Sequence, residues 1–252
     1  MLLSWRIIVI NKIEKSWNNI PTIVNQTIGE NCIFENTIVG FGTIIIDKEF
    51  INDMNMFSEK LKDNKNLLSL ITMIYNEVYN YFYSKNENNK SREETYFSNY
   101  VTDEEGMIIG TKLSSLKGKN IAKCSEKSIA AYIILKKMYE MNYITRKPSL
   151  VLSYLTSKDF QNESHAFVML NKEMCNDPTK HLIFDIENPS LIECDGKKEI
   201  AVGLYSLTDD EYNNLINGYE CSPKSLYEFI SSSYHEVSDK RTYGNVSYVK
   251  TK

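Results

Sequence analysis

Few residues in this chain could act as a general base in catalysis. Only three histidines occur among 252 residues. They are His165, His181 and His235. A cysteine nucleophile needs surroundings that favour its thiolate, such as the positive end of a helix dipole and a nearby cation. Cys124 meets both conditions, because it starts a predicted helix and directly follows Lys123.

The other cysteines lack such a setting and are predicted to fall in turn or tail segments. They are Cys32, Cys175, Cys194 and Cys221. Five widely spaced cysteines without a C-x-x-C pair indicate neither a disulfide framework nor a zinc site. Reduced thiols are therefore expected, and no metal or other cofactor.

His165 is the predicted base, and Asp185 is the predicted acceptor that orients it. Both lie in short β-rich segments that should pair as antiparallel strands, which would place the two side chains next to each other. His165 follows Cys124 by 41 residues (165 − 124), and Asp185 follows His165 by 20 (185 − 165). His181, at a turn, and His235, in a polar tail, are expected to be solvated.

Each of the three residues taken alone is more often structural than catalytic. A cysteine before an apolar helix is usually a small buried hydrophobe, and an aspartate near a strand end is usually a turn or cap residue. Their order and spacing together favour a working or ancestral catalytic site.

The order of these elements resembles the transglutaminase-like branch of papain-like enzymes. A cysteine starts a buried helix, a strand with His165, Ala166 and Phe167 follows, and an apolar strand with Asp185 comes next. The resemblance covers about residues 106–207. It implies a Cys-His-Asp triad, in which Cys124 is the nucleophile, His165 the base and later the acid, and Asp185 the orienting group.

The resemblance also implies an oxyanion hole, for which the backbone N–H of Cys124 is one donor and Asn120 is the candidate for the second. Two positions depart from the family. Phe167 stands where the family usually has tryptophan, and the proline that commonly follows the aspartate closely arrives here only at Pro189.

The elements that must position these residues predict an α+β fold, with a central buried helix on an antiparallel sheet. Residues 125–141 lack glycine and proline, carry a dense apolar middle and are long enough to favour a helix over a buried strand. Short β-rich segments separated by turn residues predict an antiparallel meander. These segments are residues 149–156, 165–170, 181–186 and 199–207.

Outside this core, strands are predicted at residues 5–13 and 37–46, and residues 54–83 show helical spacing. The predicted buried face of that helix is Leu61, Leu67, Leu68, Ile71, Ile74, Val78 and Tyr81. An aromatic group could form a stacking platform, but its helical spacing favours core packing. It consists of Tyr75, Tyr79, Tyr81, Phe82 and Tyr83.

A polar segment, residues 84–94, is predicted to be a linker, and two helices are predicted near the C-terminus, at residues 212–217 and 225–232. The chain is expected to form a single domain over residues 1–252. It would comprise an extension at about 1–100, a transglutaminase-like core at about 101–207 and C-terminal helices at about 208–252.

Composition narrows the function classes. The formal net charge is −4 (29 − 33), so no basic excess favours nucleic-acid binding. The apolar stretch at residues 2–10 is too short to span a bilayer, and charged residues follow it where a signal peptide would have a cleavage site. A cytoplasmic protein is expected; secretion or injection into a host cell without a signal peptide also fits.

The predicted activity is acyl transfer through a thioester on Cys124, most simply hydrolysis of a peptide or amide bond in a peptide or protein substrate. Glutamine deamidation of the kind found in bacterial toxins and effectors, and transglutamination, are alternatives in the same class. Two other hypotheses are a non-catalytic protein-interaction module on the same fold, and an unrelated α+β fold in which the spacing is coincidental. The last predicts that Cys124, His165 and Asp185 do not meet in space.

Overall fold

The computed structural model describes residues 12–13, 22–24, 32–36, 42–85, 90–102, 104–106, 108–156, 163–172, 179–194, 197–226, 234–236 and 247–248. The fold is α+β, with helices packed on an antiparallel sheet, as the sequence predicts, and with a second, mixed sheet. The helices are α1 (Lys48–Leu61), α2 (Leu67–Phe82), α3 (Arg92–Phe97), α4 (Cys124–Glu140) and α5 (Asp209–Ile216).

The strands form two sheets within the described ranges. The first eight strands are β1 (Lys12–Ile13), β2 (Thr22–Val24), β3 (Cys32–Asn36), β4 (Gly42–Ile46), β5 (Tyr100–Thr102), β6 (Ile108–Lys112), β7 (Lys147–Thr156) and β8 (Glu163–Asn171). The remaining five are β9 (His181–Cys194), β10 (Lys197–Leu207), β11 (Lys224–Ser225), β12 (Tyr234–Glu236) and β13 (Ser247–Tyr248).

The smaller sheet has the order β1-β3-β4-β6-β5, and the larger has the order β11-β10-β9-β8-β7-β13, with β12 on β9 and β2 on β7. Strands β7 to β10 pair antiparallel with their neighbours in sequence, which confirms the predicted meander. The larger sheet therefore provides a continuous surface that carries both His165 and Asp185.

Helix α4 lies at the centre of the core. Residues 129–135 are all buried, and the helix packs on β7, β8 and β9 on one side and against α1 and α2 on another. The Ser128 hydroxyl donates to the carbonyl of Ala166 in β8 over 2.8 Å, which fixes the first turns of the helix to the sheet. The predicted central buried helix is confirmed, with its start at Cys124.

The single helix predicted over residues 54–83 is instead two helices. Residues 62–66 interrupt it, and α2 starts again because the Asn66 side chain accepts the backbone N–H of Ser69 over 2.9 Å. Of the predicted buried face, Leu67 and Leu68 are only half-buried. The turn lets α1 and α2 fold back against each other over α4.

The prediction that the aromatic group of α2 is wholly buried is wrong for two of its members. Tyr81 and Phe82 are 4% and 2% exposed, but Tyr79 and Tyr83 are 43% and 46% exposed. The reason is the helical period, since Tyr79 and Tyr83 are four residues apart on the outer face while Tyr81 and Phe82 point to the core.

Two further segments differ from expectation. In the predicted linker, Arg92 starts helix α3 with a capping box between Ser91 and Glu94. Near the C-terminus, Lys224 and Ser225 form a strand on β10 rather than the start of a helix. Residues 227–232 of that predicted helix lie outside the described residues, as do residues 5–11 of the first predicted strand and residues 37–41 of the second. Helix α5 and its capping box at Thr208 and Glu211 are confirmed. No helix in the described ranges is long and apolar enough to cross a bilayer.

Candidate active site

Cys124 is the first residue of α4, so its thiol lies at the positive end of a 17-residue helix. The side chain is half-buried and is a free thiol. It forms hydrogen bonds with the imidazole of His165 and with the backbone of Ala166 in β8. The contact thus joins the helix start to the middle of the larger sheet.

The helix turn that carries Cys124 is held by a buried ion pair. Glu126, fully buried, binds the Arg92 guanidinium and the Tyr96 hydroxyl, and its other oxygen accepts the backbone N–H of Lys123 over 3.0 Å. Arg92 also donates to the carbonyl of Ile121. Helix α3 therefore fixes the segment around Cys124, through Ile121 before it and Glu126 after it.

His165 and Asp185 form the second contact of the site. His165 Nε2 lies 2.7 Å from Asp185 Oδ2, and the two residues are 4% and 0% exposed. Because Nε2 is bound to the carboxylate, Nδ1 is the ring nitrogen left for the hydrogen bond with the Cys124 thiol. The ring of Phe167 lies 6.1 Å from the His165 ring.

Asp185 is surrounded by hydrogen-bond donors. Its Oδ1 accepts the backbone N–H groups of Glu187 and Asn188 at 3.0 and 3.2 Å. The Asn188 side-chain amide lies 2.9 Å from Oδ2 and 3.2 Å from His165 Nε2. This set of donors satisfies an ionised carboxylate and fixes its direction toward the imidazole.

A glycine on the neighbouring strand makes room for this arrangement. Gly203 lies opposite Asp185 at a bulge in β10, and a Cβ there would meet the carbonyl oxygens of Asn188 and Asp185 at 2.2 and 2.3 Å. The Tyr205 hydroxyl donates to the same Asn188 carbonyl over 2.7 Å. The segment from Asp185 to Asn188 is thus braced from β10.

The environment shifts both titrating groups toward an ion pair. Burial opposes ionisation of the Cys124 thiol, but the hydrogen bond and charge of His165 and the backbone contact of Ala166 outweigh it, so the pKa of the thiol is lowered. Burial also disfavours the imidazolium, yet the charge and hydrogen bond of Asp185, followed by those of Cys124, raise the pKa of His165 well above its usual value. The two groups titrate as a coupled pair.

The structure brings Cys124, His165 and Asp185 together, which coincidental spacing does not predict. Asn120, the candidate second oxyanion donor, has a different contact. It has a positive φ of 59°, and its amide donates to the Ser84 carbonyl over 2.9 Å and accepts the N–H of Ser84 over 2.6 Å. These bonds tie the loop before α4 to the end of α2.

The predictions for the other two histidines need correction. His181 is 7% exposed rather than solvated, because its ring stacks on Tyr212 at a centroid distance of 3.9 Å and its Nδ1 lies 2.9 Å from Asn171 Oδ1. His235 lies in strand β12, paired with Glu193, rather than in a tail.

Most of the remaining cysteines also lie elsewhere than predicted. Cys32 starts β3 and Cys194 ends β9, while Cys221 is 4% exposed in a cluster on the outer face of the larger sheet. Cys175 lies outside the described residues. The described part of the chain has no group of three or more His, Cys, Asp or Glu residues placed to hold a metal ion.

Sequence reasoning missed three residues of the site, namely Asn188, Arg92 and Glu126. Asn188 has a local signal, since it follows Asp185 by three residues and precedes a proline in a turn-like segment. Glu126 occupies the third position after Lys123, where a carboxylate can cap a helix start. Arg92 has no such signal, because its partner is 34 residues away.

Comparison of the chain with models of protein families, with curated proteins and with solved structures finds no match. Function must therefore be inferred from the geometry of the site.

Proposed function

We propose that the protein is a cysteine-dependent acyl-transfer enzyme of the transglutaminase-like, papain-like type, which hydrolyses a peptide or amide bond through a thioester on Cys124. The observation that carries the proposal is the continuous chain of contacts from Cys124 through His165 to Asp185. A helix with the cysteine at its start, packed on an antiparallel sheet that carries the histidine and aspartate, supports the papain-like assignment.

In the acylation step, the Cys124 thiolate attacks the amide carbonyl carbon, and a C–S bond forms. The negative charge that develops on the carbonyl oxygen would be stabilised by the backbone N–H of Cys124 and by the positive end of α4. The His165 imidazolium then gives its Nδ1 proton to the amine nitrogen as the C–N bond breaks.

In the deacylation step, His165 accepts a proton from water while the water oxygen attacks the thioester. The C–S bond breaks, a carboxylic acid leaves, and the thiolate and imidazolium are restored. Asp185 keeps Nε2 protonated throughout and holds the ring plane, which leaves Nδ1 as the nitrogen that exchanges protons.

The same thioester supports the alternative reactions. If the amide belongs to a glutamine side chain, the leaving group is ammonia and water completes a deamidation. If a lysine amine replaces water, the product is a cross-link. We rank reaction with water ahead of cross-linking because it needs no second substrate to enter beside the thioester.

Reactivity of each cysteine tests the proposal without a known substrate. At about pH 6 an ordinary thiol of pKa ~8.5 is almost wholly protonated and alkylates slowly. We expect iodoacetamide to label Cys124 at least about ten-fold faster than Cys221, as measured by peptide mass spectrometry of the folded protein. The His165→Ala variant should remove most of that difference.

Cys221→Ala serves as the matched control, because it removes a buried thiol outside the site; labelling of Cys124 should be unchanged in it. Circular dichroism of each variant establishes that it is folded. Slow labelling of Cys124 in folded wild-type protein, insensitive to His165, would contradict the proposal and favour a non-catalytic interaction module.

A further inference from the structure

A cavity of about 320 Å³ lies beside the helix start that carries the nucleophile. We call it the tyrosine pocket; its lining residues are Tyr79, Phe82, Tyr83, Asn120, Ala122 and Lys127. Ala122 precedes Cys124 by two residues, and Lys127 follows it by three, which is about one helical turn. The pocket thus adjoins both sides of the catalytic thiol along the chain.

Aromatic rings from α2 and from Tyr83, the residue that follows it, form much of the lining of this pocket. The rings of Tyr79 and Tyr83 are stacked, with centroids 5.4 Å apart and planes inclined by 19°. Both side chains are nearly half exposed, whereas Phe82 beside them is buried. Tyr79 also stacks on Tyr75, with ring centroids 6.1 Å apart, so Tyr79 offers its ring edge and Tyr83 its outer face. Exposed aromatic surface of this kind next to an apolar residue favours a ligand with its own ring, which can stack on Tyr83 or meet the rings edge to face.

The charge of the pocket is balanced within the protein. Lys127 Nζ lies 2.8 Å from Glu187 Oε1 and 5.9 Å from the centre of the Tyr79 ring. The side chains of Lys127 and Glu187 are 15% and 29% exposed, so the pair is partly withdrawn from water. A neutral group fits such a pocket better than a carboxylate or a second ammonium group, because either charge would compete with an existing ion pair.

The ion pair also connects the pocket to the catalytic residues. The backbone N–H of Glu187 donates to Asp185 Oδ1, so the residue that neutralises Lys127 helps to hold the triad aspartate. One wall of the pocket is therefore continuous with the proposed active site.

We propose that the tyrosine pocket binds an uncharged aromatic side chain of a peptide or protein substrate, next to the amide bond that Cys124 attacks. The inference rests on the proposed function and adds its substrate class. A volume of about 320 Å³ is at the small end of ligand pockets, which suits one large side chain and not a whole cofactor.

Peptide vinyl sulfones test this preference, because they alkylate an active cysteine irreversibly and carry chosen side chains. Phenylalanine, alanine or glutamate is placed at each of the two residues before the sulfone, and iodoacetamide serves as a reagent without side chains. The rate of labelling at Cys124 is measured by mass spectrometry. We expect the best phenylalanine probe to react at least about ten-fold faster than its alanine and glutamate counterparts, a difference of about 1.4 kcal/mol.

Substitution then assigns the preference to the pocket. Tyr79→Ala and Tyr83→Ala should each lower the ratio of the phenylalanine-probe rate to the iodoacetamide rate by about three-fold or more, as expected for loss of one aromatic contact. Tyr219→Ala is the matched control, because Tyr219 is 55% exposed and is not among the pocket residues. Its ratio should equal that of the wild type.

The outcomes separate the two proposals. Failure of iodoacetamide to label Cys124 rapidly would overturn the proposed function and this inference with it. Rapid iodoacetamide labelling without a phenylalanine preference would overturn the inference alone. A phenylalanine preference that persists in both tyrosine variants would place the aromatic site elsewhere and likewise overturn it.

Discussion

His165 and His181 are both buried and both approach an aspartate, yet their surroundings act on them in opposite directions. His165 Nε2 lies 2.7 Å from Asp185, which is fully buried. His181 Nε2 lies 3.3 Å from Asp209, whose side chain is 66% exposed. The pKa of His165 is raised well above its usual value, whereas burial, followed by the nearby Lys180, lowers the pKa of His181.

The comparison shows that the surroundings of the carboxylate decide whether the pKa of the neighbouring histidine is raised or lowered. Asp185 has backbone and amide donors that fix it in a site shielded from water, so its charge acts strongly on the imidazole. Asp209 is solvated and also pairs with Lys180, so its effect on His181 is weak. Burial of His181 against Tyr212 therefore has the larger effect on its pKa. The first arrangement suits proton transfer, and the second suits neutral packing.

The largest expected difference between the two regions concerns stability. Arg92→Met would leave Glu126 buried without its cation, and we expect the free energy of unfolding to fall by about 3–5 kcal/mol. Lys180→Met near His181 removes only a pair with the exposed Asp209, for which we expect a loss of at most about 1 kcal/mol. Urea unfolding of both variants measures the difference; equal losses would show that the helix start is not specially braced.

A smaller stability effect is expected from the brace behind Asp185. Gly203→Ala places a methyl group against two carbonyl oxygens, and we expect a loss of about 3 kcal/mol together with slower labelling of Cys124. Gly106→Ala is the control, since Gly106 has a φ of 79° but no atom within 4 Å of an added Cβ. It should cost about 1–2 kcal/mol and leave labelling unchanged. Normal labelling in a folded Gly203→Ala variant would show that Asp185 does not depend on this contact.

Part of this comparison could be predicted from the sequence. The helix that starts at Cys124 and the strands of the meander have strong local patterns, and the order of Cys124, His165 and Asp185 follows from those elements. The difference between His165 and His181 could not be predicted, because it depends on contacts between distant segments. Burial of His181 requires Tyr212 on α5 to stack on it, and its sequence neighbours, Thr179 and Lys180, suggest only a polar turn.

Contacts between distant segments also decide two features of α1 and α2 that were predicted wrongly, namely the turn between them and the exposure of Tyr79 and Tyr83. Residues 62–66 are all polar, but Leu61 and Leu68 on either side of them are seven residues apart and so stay in helical phase. Periodicity alone therefore does not reveal the turn. Nor does it separate Tyr79 and Tyr83 from their buried neighbours. Their exposure follows from how α2 lies on α4, which is a matter of tertiary packing.

Of the two aspartates, only Asp185 should affect the reactivity of the Cys124 thiol when it is replaced by asparagine. Asp185→Asn removes the charge that favours the His165 imidazolium, and we expect labelling of Cys124 at about pH 6 to fall about ten-fold. Asp209→Asn should change it by less than about two-fold, since this residue contacts His181 and not His165. The measurement is the iodoacetamide rate at Cys124 over a range of pH. Equal rates in wild type and Asp185→Asn would leave Asp185 without the orienting role.

The smallest expected effect is the pH dependence of stability, for which the two histidines should have opposite signs. A raised folded pKa means that His165 contributes stability that is fully present below its unfolded pKa of about 6.5 and is lost as pH rises through the folded value. The lowered pKa of His181 gives a contribution that is present above about 6.5 and is lost as pH falls through the folded value.

Urea unfolding from about pH 5 to about pH 9 tests these signs, with His165→Gln and His181→Gln compared in a Cys124→Ala background. The background removes the thiol that titrates with His165, while Asp185 still favours its imidazolium. We expect the stability difference between parent and His165→Gln to shrink as pH rises, and that between parent and His181→Gln to shrink as pH falls. Two curves with the same slope would mean that the buried Asp185 and the exposed Asp209 act alike on their histidines, contrary to the geometry of the two regions.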